Sequence, residues 1–440
     1  MFRKNPWIIF IFSYLLVILI GGVLLFLPFS HHGKISFIDA LFTSTSAVSD
    51  TGLTVLDTGK DFTRAGQIII LSLVQIGGLG IMTFVVATTI FLRRRLGIGM
   101  KEILGEEYGG GLGNSKEILI AVILWTFSLE FIGFLILLLS LKGENIDSKI
   151  FFSLFHSISA FCNAGFSTFS NNLEGFRNNY LFLLCIAFLI FCGGIGFTNG
   201  IQIFKKLIKK ERRLTLNAKL VLAVSAILIL IGTIIIFTGE IGKWEGSIFS
   251  LFVNSLFHAI TPRTAGFNSL KIQEMHRVSS FFIWILMIIG ASSGSCGGGI
   301  KTNTIGAIFS YIKGRMSGFK NASAFGRTIN EETVEKAISV FAFYLTVLLT
   351  GTILLLFTEA ENQNITGEEI FPLLFEATSA LGTVGLSFGV TPHLSIAGKI
   401  VIMFLMLGGK IGLYSFIFAF LIRKREERFY TFPEEDIMVG

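Results

Sequence analysis

The stretch SAVSDTGLT (Ser46–Thr54) decides the fold, because the chain repeats its pattern three more times. The other copies read SAFCNAGFS (Ser159–Ser167), TPRTAGFN (Thr261–Asn268) and SALGTVGLS (Ser379–Ser387). Each ends in a glycine followed by Leu or Phe and a small polar residue, at Gly52, Gly165, Gly266 and Gly385. A Phe stands upstream of each, at Phe42, Phe155, Phe257 and Phe375. It lies 10 residues before the glycine in three copies and 9 in the third. Long apolar segments flank every copy. Repetition of this kind fixes architecture more firmly than local propensity does.

Working outward, the flanks define a polytopic membrane protein. Of 440 residues, 52% are hydrophobic and 15% charged, against about 25% charged in soluble domains. A bilayer-spanning helix needs about 20 mostly apolar residues. Eight segments qualify: Trp7–Phe29, Gly66–Leu92, Ile118–Leu141, Tyr180–Phe204, Ala218–Phe237, Phe281–Ile312, Val334–Phe357 and Ile396–Ile422. Leu27-Pro28-Phe29 is not a small-residue cleavage site, so the first segment reads as a spanning helix rather than a signal peptide. The four cysteines form no CxxC pair, which speaks against a metal or disulfide framework.

The net charge of +7 does not imply a nucleic-acid partner, because the basic residues cluster at membrane boundaries. Arg3 with Lys4, Arg93–Arg95, Lys205–Arg213, Lys313 with Arg315 and Lys320, and Arg423–Arg428 fall on one side. The positive-inside rule makes that side cytoplasmic, with both termini in the cytoplasm of a multi-pass protein of the inner (plasma) membrane. The opposite side receives the mixed or acidic loops His31–Lys34, Lys142–Lys149, Thr238–Gly246 and Thr358–Glu369. All four glycine motifs follow such an external loop.

The segment before each motif is too short to cross a bilayer and fits a re-entrant helix that stops about half-way. Extended backbone at that depth is tolerated only where it is buried in protein or lines a water-filled path. A re-entrant helix also turns the negative end of its dipole toward the membrane centre, which favours a cation there. Backbone carbonyls after it can replace an ion's water shell, and glycine keeps the path clear of side chains. Thr51, Thr54, Ser167, Thr264, Asn268, Thr383 and Ser387 are candidates to satisfy hydrogen bonds behind the carbonyls. The expected fold is all-α and integral to the membrane: eight transmembrane helices and four re-entrant pore helices. They form four consecutive helix–pore-loop–helix repeats around one central pore. The repeats are 1–95, 96–213 with a cytoplasmic linker 96–117, 214–320 and 321–428, followed by a cytoplasmic tail 429–440.

Four such units with one filter glycine each resemble the Trk/Ktr/HKT superfamily of potassium transporters. With eight spans and no extra N-terminal pair, the chain is most similar to the KtrB-type membrane subunits of bacterial Ktr systems, over roughly Pro6 to Arg428. The resemblance implies potassium transport through a filter of Asp50, Thr51 and Gly52; Asn163, Ala164 and Gly165; Thr264, Ala265 and Gly266; and Thr383, Val384 and Gly385. In plant relatives a Ser at the first filter glycine goes with sodium preference, so Gly52 favours potassium. Sodium remains a candidate second ion. The resemblance further implies a homodimer and a cytoplasmic KtrA-like ring of Rossmann-like subunits. That ring would carry the nucleotide, since this chain has no strand–GxGxxG–helix unit outside the membrane.

A second stretch, GASSGSCGGGIKTNT (Gly290–Thr304), interrupts the inner helix of the third unit. Five of its first ten residues are Gly and three are Ser, and each interior Gly costs a helix about 1 kcal/mol relative to Ala. It reads as a gate loop below the filter, comprising Gly290, Ser292, Ser293, Gly294, Ser295, Gly297, Gly298, Gly299 and Lys301. A static kink that packs helices closely is the alternative. The resemblance favours the gate. Lys410, about 14 residues into the last span, is too deep to snorkel and should face the pore or a partner. The family usually has Arg there, contacting the gate loop. Lys410 is therefore expected either to hold carbonyls of the 290–304 loop or to pair with an acid such as Glu376. Asp50 and Glu376 could attract cations at the pore mouth or form ion pairs, with Arg263 the obvious partner. His156 and His258 occupy equivalent places and read as packing residues. Gly77–Gly80 and Gly193–Gly196 read as close-packing sites of inner helices.

Two other classes of protein fit less well. A broken-helix secondary transporter would carry inverted repeats, whereas these four units run in the same direction. An enzyme would need a polar catalytic cluster, and no HExxH motif is present.

Overall fold

A computed structural model describes residues 6–80, 115–143, 148–209, 213–362 and 370–412. The basic runs Arg3–Lys4, Arg93–Arg95 and Arg423–Arg428 lie outside the described residues. So do residues 210–212 of the third basic run, residues 96–114 of the linker and the tail 429–440.

The described chain is helical apart from one small hairpin. Three helices come first: α1 (Pro6–Phe26), α2 (Phe37–Val48) and α3 (Arg64–Leu79). A second set is α4 (Ser115–Ser140), α5 (Lys149–Phe161) and α6 (Tyr180–Gly194), after which α7 (Phe197–Leu207) turns away. A third is α8 (Leu216–Glu240), α9 (Ile248–Ile260) and α10 (Arg277–Ile288), continued by α11 (Thr302–Met316). The last is α12 (Glu331–Thr358), α13 (Ile370–Gly382) and α14 (Ile396–Ile411). Strands β1 (Ser323–Ala324) and β2 (Arg327–Thr328) pair antiparallel across Phe325 and Gly326, both at positive φ. This hairpin departs from the all-helical expectation.

Local chemistry explains where the helices start. Ser36, Thr63, Thr215, Ser247 and Ser395 each accept a backbone N–H three residues on, at the first turn of α2, α3, α8, α9 and α14. Such N-caps are worth about 1 kcal/mol each. The middle helix of each set, α2, α5, α9 or α13, has 12 or 13 residues. At about 1.5 Å per residue it cannot cross a hydrocarbon layer about 30 Å thick.

Three described helices are long and apolar enough to span a membrane, at Leu119–Ser140, Leu216–Glu240 and Glu331–Thr358. The single span expected over Tyr180–Phe204 is instead broken. α6 and α7 meet at 109° across Ile195 and Gly196. Gly196 has φ 88°, a value only glycine adopts freely. Gly80 and Gly412 end α3 and α14 with nearly the same backbone, φ 79° and 84°. α10 stops at Ile288, so the third set is interrupted there as well.

The sets close on one another. Within each, the first helix packs on the short one and the short one on the last. Between sets, α3 packs on α5, α6 on α9, α10 on α13, and α14 returns to α2. Small residues make these approaches possible. A side chain at Gly21 of α1 would sit 2.4 Å from Ser44 Oγ and 2.7 Å from Leu73 Cδ1, where α1, α2 and α3 meet. The outer surface is apolar, with Leu124, Leu230, Phe357 and Phe404 more than 60% exposed, as a lipid-facing surface requires.

Gly21→Leu is therefore expected to lower the melting temperature in detergent, since overpacking a closed core typically costs about 1–3 kcal/mol. Gly242→Leu, with no atom within 4 Å of the added carbon, should leave it unchanged.

Candidate functional site

The four short helices end in the same way. The residue after the last turn takes a left-handed conformation: Asp50 (φ 50°), Asn163 (57°), Thr264 (76°) and Thr383 (49°). In three copies the next N–H reaches back five residues, from Thr51 to Ser46, Ala164 to Ser159 and Val384 to Ser379 (2.8–2.9 Å). With Asp50, Asn163 and Thr383 bonding three residues back, this is the Schellman closure of a helix C-terminus. In the third copy Ala265 reaches only four residues back, to Thr261. The turn is one residue tighter, which accounts for the 9-residue spacing. A positive φ is uncommon outside Gly, Asn and Asp, so the two threonines are strained and must be held by their surroundings.

The glycines come next, at φ 90°, 69°, 73° and 89°, and they meet in cyclic order. A Cβ on Gly52 would lie 2.5 Å from the carbonyl oxygen of Ala164. One on Gly165 would lie 2.8 Å from that of Ala265, and one on Gly266 2.6 Å from that of Val384. Gly385 closes the circle against Thr51 O at 2.0 Å. No side chain fits at any of the four positions. The twelve residues singled out from the motifs thus lie together as one ring of backbone, buried except at half-buried Gly385.

The hydroxyls that brace this ring differ from those anticipated. Ser46 and Ser379 accept the N–H of Gly52 and Gly385 at 3.0 and 2.9 Å. Ser159 and Thr261 donate to the carbonyls of Phe166 and Phe267 at 2.8 and 2.7 Å. These are the first residues of the four motifs, a repeat signal visible in the sequence. Ser167, Asn268 and Ser387 instead bond His156, Glu174 and Glu376.

A second brace stands at equivalent positions. His156 meets Ser167 at 3.0 Å, and His258 accepts the N–H groups of Ser269 and Leu270 at 3.3 and 3.2 Å. Glu376 takes this place in the fourth copy and accepts from Ser387, Phe388, Val390 and Thr391. The histidines thus hold the returning segments by hydrogen bonds and do more than pack. Glu376 is bonded within its own copy and pairs with neither Arg263 nor Lys410. Arg263 donates instead to Thr302 at 3.3 Å.

Residues after the glycines line a cavity of about 610 Å³, with Asp57, Glu174, Lys271 and Gln273 on its wall. Partial burial disfavours the charge on Glu174 and pushes its carboxyl above its ordinary value.

Residues before the glycines face the 290–301 stretch; the loop expected over 290–304 is shorter, because Thr302–Thr304 already form the first turn of α11. Ile289 and Ile300 bridge its two ends. Inside it, Gly297 would clash through a Cβ with Thr264 Oγ1, and the Gly298 N–H donates to Thr383 Oγ1 at 2.9 Å. Ser292 and Cys296 donate to the carbonyls of Gly194 and Gly193, and Phe197 to that of Gly294. Lys301 donates back to Gly297 O. Asn303 accepts from Ser292 and Ser293 and donates to Asn217. Gly290, Ser295 and Gly299 complete the stretch, Ser295 donating to Ser292 O at 2.5 Å.

Lys410 joins this stretch to the ring. Its ammonium donates to Cys296 O at 2.7 Å and to Asp50 Oδ2 at 2.5 Å, and the Asp50 side chain is fully buried. The acid is thus Asp50 rather than Glu376. Gly77, Gly193 and Gly409 let their helices press on the last carbonyls of the short helices, Val48, Phe161 and Leu381. They pack against the ring's supports rather than against other long helices.

The described chain is thus a bundle of apolar helices in which four short helices end at one ring of backbone. Residues 3–431 match the family "TrkH: Cation transport protein", and the chain belongs to that family, a class of transporters rather than enzymes. It is 37% identical to "Ktr system potassium uptake protein B" of Bacillus subtilis, over all of this chain and 97% of the relative. It is 34% identical to "Potassium/sodium uptake protein NtpJ" of Enterococcus hirae, over all of this chain and 98% of the relative. In fold it is similar to the potassium transporter TrkH of Vibrio parahaemolyticus, with a TM-score of 0.74 and 19% identity. That likeness covers 95% of this chain and 86% of the other. Among the Trk/Ktr transporters, the chain is most like KtrB.

Removing one partner of a buried ion pair costs about 3–5 kcal/mol, because the other charge is left uncompensated. Lys410→Met is expected to show a loss of that order in thermal or denaturant unfolding in detergent. Adding Asp50→Asn should restore most of it.

Proposed function

We propose that the chain moves potassium across the cell membrane through the glycine ring, which acts as a four-repeat selectivity filter. The observation that carries this reading is the cyclic meeting of Gly52, Gly165, Gly266 and Gly385 with the carbonyls of Thr51, Ala164, Ala265 and Val384. Four carbonyls gathered with no side chain between them offer a dehydrated cation what its water shell offered. The four short helices aim their C-terminal dipole ends at the same place. The named activity of the B. subtilis and E. hirae relatives, potassium uptake and potassium/sodium uptake, supports this choice of ion.

On this reading each repeat is a helix, a re-entrant pore helix with its filter segment, and a second helix, four of them around one pore. The 610 Å³ cavity is the outer mouth. The 290–301 stretch is the gate, placed on the opposite side of the filter residues and latched by Lys410 to Asp50. The stretch must leave Thr264, Thr383 and Lys410 for an ion to pass. Both termini and the basic runs face the cytoplasm. The naming of relatives as parts of a Ktr system supports a second component. We place there the nucleotide-binding, KtrA-like ring, acting on a homodimer of this chain and pulling the gate. Sodium is a further candidate ion.

The reading is tested by rubidium uptake into liposomes, wild type against Gly385→Ser, with sodium as competitor. The substitution puts an oxygen-bearing side chain where a Cβ would already lie 2.0 Å from Thr51 O. Uptake or potassium-over-sodium preference should fall by roughly ten-fold, as a loss of about 1.4 kcal/mol in ion stabilisation gives. Unchanged uptake and selectivity would make Gly385 a turn residue only.

A further inference from the structure

Glu130 is the twelfth of the 22 residues in the apolar span Leu119–Ser140, at the depth where ionisable groups are most costly and mark function. It is 4% exposed. Its carboxylate accepts from Gln75 Nε2 of α3 at 3.1 Å and from the Cys162 thiol at 3.9 Å. Among the described residues no Lys, Arg or His stands within ion-pair distance of it. Gln75 Oε1 and Thr126 Oγ1, one turn away on α4, are both buried without a hydrogen-bond partner.

The place of this carboxylate gives it meaning. Cys162 ends α5 and stands two residues before Ala164, whose carbonyl belongs to the glycine ring. Gly78 leaves room for the Cys162 thiol, and a Cβ there would lie 2.5 Å from its sulfur. Two other acids stand beside the ring: Asp50 is neutralised by Lys410, and Glu376 is held by four donors of its own copy. Among the described residues, Glu130 is therefore the carboxylate near the ring with neither a counter-charge nor a full set of hydrogen-bond donors.

We propose that Glu130 sets the affinity of the ring for its monovalent cation: the ion itself supplies the counter-charge, and Gln75 holds the carboxylate beside Cys162. Glu130 acts as a positioned charge and need not touch the ion. This rests on the ring being the ion site. A unit charge one or two side chains away, at an effective dielectric of about 20, changes an affinity by roughly ten-fold.

The test is rubidium binding to the purified full-length chain, for wild type, Glu130→Gln, Glu130→Asp and Gly385→Ser. Glu130→Gln keeps the shape and removes the charge. It should weaken binding roughly ten-fold with an unchanged melting temperature, while Glu130→Asp stays within about three-fold of wild type. In liposomes the Glu130→Gln loss should appear in the half-saturating rubidium concentration rather than in the maximal rate. Wild-type binding by Glu130→Gln would overturn the proposal, and weakened binding by Gly385→Ser in the same series would leave the ring standing. Weakened binding by Glu130→Gln with normal binding by Gly385→Ser would place the ion on the carboxylate itself and overturn both.

Discussion

Backbone cannot be left unsatisfied within a membrane, and this structure brings four non-helical turns to its interior. The solution is a ring in which each turn is closed by its own helix end and pressed against the next turn. Everything else follows from the closeness of that approach. It demands glycine at four positions, because a Cβ would fall 2.0–2.8 Å from a neighbouring carbonyl oxygen. It demands left-handed backbone at four non-glycine residues, two of them threonines. It also demands the braces behind the ring, since strained backbone persists only where its surroundings over-determine it.

Those braces are layered. Nearest the ring, the hydroxyls of Ser46, Ser159, Thr261 and Ser379 fasten each turn to its helix. Further out, His156, His258 and Glu376 hold three of the segments that lead away. The two histidines and the glutamate share a position because their task is shared: each supplies a buried acceptor to the returning chain. On the other side, the 290–301 stretch is tied to three helix sets at once, through Gly193 and Gly194, Thr383, and Lys410 with Asp50. Polar contacts over glycines do most of this holding, with Ala291, Cys296 and Ile300 the apolar side chains that the stretch buries.

Much of this was legible in the sequence, for physical reasons that can be named. The four motifs are visible because the close approach allows no residue but glycine, and the break after Ile288 because five glycines in ten residues cannot sustain a helix. The depth of Lys410 alone required a buried partner. The choice of Asp50 over Glu376 was not legible, since it depends on which repeat's left-handed residue lies beside the last helix. The bend at Gly196 was missed because the apolar run continues through it. The shared pattern of Gly77, Gly193 and Gly409, each followed three residues later by a glycine, was the available signal. The hairpin at Ser323–Thr328 rests on two positive-φ residues, Phe325 and Gly326, and the first of these is not a residue that announces a turn.

The measurement that bears most directly on the account is the anomalous diffraction of crystals grown in rubidium. The account predicts a rubidium peak on the axis of the ring, at coordinating distance from the carbonyl oxygens of Thr51, Ala164, Ala265 and Val384, and absent in Gly385→Ser. A peak elsewhere in the membrane interior with the ring empty, or one that survives the substitution unchanged, would contradict it.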